Sequence, residues 1–94
     1  MVIGACTLTL HIPGNGSLKG KRQVLKSLTA RLRNEFNVSV AEVDAQDVWQ
    51  SAVIGVVCVS SNPDYAHGQL SRVVRWVEDN RLDCDLVDYQ IEIL

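Results

Sequence analysis

The run Ser51–Ser60 constrains this chain most. Read with a period of two, Ala52, Ile54, Val56 and Cys58 point one way, and Val53, Gly55, Val57 and Val59 the other. Both faces are apolar and rich in β-branched residues. Such a segment predicts a central strand covered on two sides. It is far too short to span a bilayer as a helix, and no run in the chain approaches the ~20 apolar residues of a span. No membrane is expected.

A central strand needs neighbours, and the rest of the chain supplies them. Val2–Ile12 alternates with period two, Gly4, Cys6, Leu8, Leu10 and Ile12 on one face and Ile3, Ala5, Thr7, Thr9 and His11 on the other. Pro13-Gly14-Asn15-Gly16 ends that strand in a turn. Ser17 then reads as an N-cap, and Leu18, Leu25, Leu28, Leu32 and Phe36 repeat at helical spacing up to Asn37. Gly20 stands where a reciprocal capping box would place Glu or Gln, which predicts a soft first turn. Val38–Asp44 is a second strand, with Val43 out of step and a bulge expected near Ala41–Glu42. Ala45-Gln46-Asp47 turns the chain, and Trp49 is expected to cover the base of the hairpin. Asn62-Pro63-Asp64 opens a second helix whose buried face is Ala66, Leu70, Val73, Val74 and Val77, ending near Asn80. Leu86–Leu94 closes the chain as a fourth strand, in which Val87, Tyr89, Ile91 and Ile93 alternate with Asp88, Gln90 and Glu92. Those charges suit an edge.

The element order is β-α-β-β-α-β. Two β-α-β units with right-handed crossovers predict an α+β, ferredoxin-like sandwich: a four-stranded antiparallel sheet with both helices on one face. The first and third strands lie in the middle. The 94 residues form one domain, 1–94, large enough for a modest core. Because the helices cover one sheet face, the apolar far side predicts a homodimer packed sheet to sheet.

Function is less legible. Met1–Leu10 lacks a basic leader and a small-residue cleavage site, so no secretory signal is expected. Cys6, Cys58 and Cys84 contain no C-x-x-C pair and sit in strand-like runs. They read as buried, reduced thiols of a cytoplasmic protein rather than as a disulfide framework or a metal site. No cofactor is expected. Acylphosphatases, which share this size and fold, place an Arg in the loop after the first strand, and Pro13–Gly16 has none. His11 and His67 lack partners for a shared metal. Asp44 and Asp47 are explained by turn chemistry. Trp49 and Trp76 are candidate binding aromatics, with core or interface packing the default for each, and Arg72 four residues before Trp76 is placed to stack on it. No enzyme is expected. An RNA-recognition sheet face is disfavoured as well, since Val53–Val59 carries no aromatic for a base to stack on.

Charge placement is the most informative feature left. The net charge is −2, which argues against binding nucleic acid through the overall field. Yet six of the nine basic residues fall between Lys19 and Arg33, and all eleven acids lie at or after Glu35. At about 100° per residue, Lys19, Arg22, Lys26 and Arg33 share an arc of roughly 60° beside the apolar face. A stripe of this kind can track phosphates. The alternative is a solvated helix face whose stems cover the core edge. Lys21 is counted with the stripe as a nucleic-acid contact. Its position inside the apolar arc requires it to snorkel or to precede the true helix.

Ser17-Leu18-Lys19-Gly20-Lys21-Arg22, followed by Phe36-Asn37-Val38-Ser39-Val40-Ala41-Glu42-Val43-Asp44 and by Asp47-Val48-Trp49-Gln50, resembles the YlxP-like family. These are small bacterial proteins of unknown function, and the resemblance covers nearly the whole chain. It implies a ferredoxin-like fold. It also implies a ribosome or RNA connection by association, because the genes often lie among those for transcription–translation factors, including a ribosome maturation factor. Members commonly carry Glu where Gly20 stands, and no catalytic residue carries over. Two readings follow. The first is an RNA-associated accessory protein that contacts ribosomal or other RNA through the first helix. The second is a dimeric protein-interaction or small-molecule-sensing module with no RNA role.

Overall fold

The computed structural model describes residues 1–80 and 83–94. Its elements are β1 (Val2–His11), α1 (Leu18–Glu35), β2 (Ser39–Asp44), β3 (Ser51–Ser60), α2 (Pro63–Asp79) and β4 (Asp85–Ile93). The sheet is antiparallel in the order β2-β3-β1-β4, so the two most apolar strands are central. This is the α+β ferredoxin-like arrangement that the periodicities predict. Both helices start as their caps require. Ser17 Oγ accepts from Gly20 N at 3.0 Å, and Asn62 Oδ1 accepts from Asp64 N at 2.8 Å and from Tyr65 N at 3.2 Å.

The core lies between the sheet and the helices. Cys6, Leu8 and Leu10 of β1 and Ala52, Ile54, Val56 and Cys58 of β3 meet Leu25, Leu28 and Leu32 of α1 and Leu70, Val73, Val74 and Val77 of α2. At Gly4, β1 packs closely against Leu70 and Ala66 of α2. A Cβ there would stand 2.9 Å from Leu70 Cδ1 and 3.1 Å from Cys58 Sγ, so an added side chain would require these core side chains to shift. Cys84 is buried just before β4 rather than within a strand. Burial raises the Cys6 thiol from 9.0 to about 11, so it stays protonated and a poor nucleophile at neutral pH.

Two bulges re-aim the edge strands. The β2–β3 register shifts between Glu42 and Asp44, one residue beyond the expected place, and Val43 is the extra residue. The β1–β4 register shifts between Thr9 and Leu10, so Leu10 faces Leu86 and Thr9 faces Asp88. Val87 is therefore out of step with Tyr89, Ile91 and Ile93, contrary to the simple alternation, and is exposed. The expected second cover on β3 is also absent within one chain. Val57 and Val59 lie on the face away from the helices, and Val59 is 64% exposed.

Candidate nucleic-acid interface

Helix α1 leaves the end of β1 beside the β2–β3 hairpin and runs back along β2. Its apolar ridge points at the sheet. Arg22, Lys26 and Arg33 therefore project towards the free edge of β2. With Val40, Ala41 and Glu42 they line an open groove of about 360 Å³. Lys19 is exposed on the same arc but lies outside the groove lining. Arg33 Nη2 donates to Val40 O at 2.7 Å, which occupies a carbonyl of the edge strand and blunts that edge against stray pairing. The side chains of Arg22 and Lys26 have no hydrogen-bond or ion-pair partner among the described residues.

Lys21 does not belong to this surface. It was expected to contact nucleic acid, but it is 1% exposed within the helix. Its ammonium donates to Ala45 O at 2.5 Å and to Val48 O at 2.8 Å, and Glu42 Oε2 is 2.8 Å away. That oxygen is itself buried, and the approach makes an ion pair rather than a well-formed hydrogen bond, so charge holds it there. The apolar arc was therefore read correctly, and the snorkelling was not. The aliphatic stem of Lys21 packs with the core, and its head is solvated by backbone carbonyls instead of water.

The same hairpin is tied to the start of α1 a second time. Asn15 Nδ2 donates to Ser17 O at 2.8 Å and also to Trp49 O. Gly20 makes room for this: a Cβ there would stand 2.4 Å from Asn15 Oδ1. The sequence reads Asn15-Gly16 as part of a turn and Gly20 as the missing partner of a capping box, softening the first turn. The Asn15–Trp49 tie spans 34 residues and leaves no periodic signal. Trp49 itself is 51% exposed, so it does not cover the hairpin base as expected. Trp76 stacks with Arg31, whose Cζ is 5.3 Å from the ring centroid, while Arg72 lies over Tyr65 at 5.9 Å rather than over Trp76.

Charge is divided across the sheet. The basic helix accompanies β2 at one edge. Asp85, Asp88 and Glu92 pair with His11, Thr9 and Ala5 from β4 at the other edge. The one acid in the groove lining is Glu42, held by Lys21; further along the hairpin, Asp44 Oδ1 accepts from Ala45 N at 2.7 Å. His11 ends β1 opposite Ser51, whereas His67 belongs to α2, which begins beyond Ser60 at the far end of the sheet. Among the described residues no group of three or more His, Cys, Asp or Glu could hold a metal ion, and no helix is long and apolar enough to cross a membrane.

These features define a ferredoxin-like domain with a cationic groove along one edge. The model of the family described as "Protein of unknown function (DUF503)" matches residues 3–91, and the chain belongs to that family. It is 43% identical over 77 residues to "Uncharacterized protein YlxP" of Bacillus subtilis (strain 168), a match spanning 82% of this chain and 84% of that protein. Among solved structures, the de novo designed protein Ferredog-Diesel aligns with a TM-score of 0.48 at 12% identity, covering 96% of this chain and 83% of its own. A variant of SnoaB, a cofactor-independent oxygenase from Streptomyces nogalater, aligns at 0.47 and 14%, covering 99% and 89%.

Proposed function

We propose that this protein is an accessory factor that holds the phosphate backbone of RNA, ribosomal RNA above all, in the groove between α1 and β2. The observation that carries this reading is the convergence of Arg22, Lys26 and Arg33 on one open groove, with Lys19 on the same helical arc. Of these four cations only Arg33 has a partner among the described residues, and the one acid in the groove lining, Glu42, is paired with Lys21. The choice of RNA as the polyanion comes from the family resemblance. Such contacts bind phosphate without reading sequence. The test is titration of ribosomal RNA fragments across a salt series. Four contacts predict a slope of log affinity against log salt near −3, from about 0.7 to 0.9 per phosphate. A flat salt response, or no binding at low salt, would sink the proposal.

One observation favours the second reading, a homodimeric interaction module. Ile3, Val53, Val57 and Val59 lie on the sheet face that neither helix covers. A contiguous apolar face of this kind is unusual on a monomer. Sedimentation at tens of micromolar should show a dimer, which Val59→Lys should dissociate. Monomer alone at that concentration rules this version out.

A further inference from the structure

On the groove reading just given, we propose that the nucleic acid taken is single-stranded and that Trp49 stacks an unpaired base at one end of the groove. The hairpin carrying Trp49 is held in one shape. Lys21 grips the carbonyls of Ala45 and Val48, Asn15 grips that of Trp49, and Ala45 sits in the left-handed region at φ 60. Burying an ammonium is costly, and here it orders a loop whose apolar residues, Val48 and Trp49, remain half exposed. A large aromatic fixed in place and left in water is arranged to meet something flat.

Its position suits a strand lying in the groove. The anchors of the hairpin, Lys21 and the Asn15–Ser17 turn, are at the start of α1, next to Arg22. Arg33 is on Val40, at the other end of β2. Eleven residues of helix separate Arg22 from Arg33, about 16 Å at 1.5 Å per residue, enough for a few nucleotides. Asp44 and Asp47 belong to the same hairpin and disfavour a phosphate at its tip. The phosphates therefore stay on the helix side while a base reaches Trp49. Trp76 offers no rival platform, because Arg31 covers it. A duplex keeps its bases paired and has nothing to give Trp49, whereas every unpaired base has a face that can stack.

The test uses the full chain carrying Trp76→Phe, which leaves Trp49 as the one tryptophan. Short oligouridine and a blunt-ended, fully paired RNA duplex of matched charge are titrated, with Trp49 emission and anisotropy read together. Oligouridine should quench Trp49 and bind more tightly than the duplex. Trp49→Ala should weaken oligouridine binding roughly ten-fold while leaving the salt slope unchanged, and Trp49→Phe should keep most of the affinity. Binding without quenching that Trp49→Ala does not weaken, or a preference for the duplex, overturns the stacking inference and leaves the groove reading standing. If neither RNA binds at low salt, the groove reading fails and this inference fails with it. Melting curves of both Trp49 variants should match the parent, since the side chain is half exposed.

Discussion

Replacing Lys21 with methionine is expected to destabilise the protein by about 3 kcal/mol, the low end of the 3–5 kcal/mol for breaking a buried pair. Methionine keeps the unbranched stem, one atom shorter, and removes the charge. Ala45 O and Val48 O then lose their donor, and the buried Glu42 oxygen loses its counter-ion. The low end applies because the Glu42 side chain is 24% exposed and can turn towards water. For a domain of this size the melting temperature should fall by roughly 15 °C. Combining Lys21→Met with Glu42→Leu should recover more than half of the loss, because no unpaired charge then remains inside. Thermal melts of the two variants decide the matter. A single variant that melts within a degree or two of the parent would mean that Lys21 reaches water, as the sequence alone suggested.

The second large effect concerns RNA. Arg22→Glu with Lys26→Glu should lower affinity on the order of a hundred-fold at moderate salt, removing two phosphate contacts and placing two anions in the groove. The fold should survive. Both side chains are exposed and partnerless among the described residues, and surface changes of this kind usually stay within about 0.5 kcal/mol. Lys21→Met makes the contrasting control, since its cost falls on stability rather than on phosphate contact. If the double variant binds ribosomal RNA as the parent does, the stripe is a solvated face, and the dimeric reading takes precedence.

The fold was legible because burial leaves a periodic trace. Ser51–Ser60 reads as a central strand without reference to anything else, and the caps at Ser17 and Asn62 mark their helices through local hydrogen bonds. The clustering of Lys19, Arg22, Lys26 and Arg33 on one helical arc was likewise visible, since the arc depends only on spacing. The misplacements share one cause. Val87 was assigned by counting in twos, and a bulge set by pairing with β1 shifted the count. Arg72 was paired with Trp76 because they are four residues apart on one helix, whereas Arg31 reaches that ring from the other helix. Trp49 was assigned to the hairpin base because large aromatics are usually buried, but a tie to Asn15 holds its backbone where the ring stays in solvent.

The order of strands and helices, the central strands, the helix caps and the basic arc are therefore properties of the sequence itself. They rest on interactions between residues a few positions apart and on the cost of leaving apolar groups in water. The direction in which a charged side chain turns is of another kind. Lys21 and Arg22 are adjacent and chemically alike, yet one is sealed beneath the hairpin and the other lines the groove. That difference depends on whether two carbonyls and a carboxylate, 21 to 27 residues further along the chain, come together to replace the water that an ammonium requires. Only the tertiary structure brings them there.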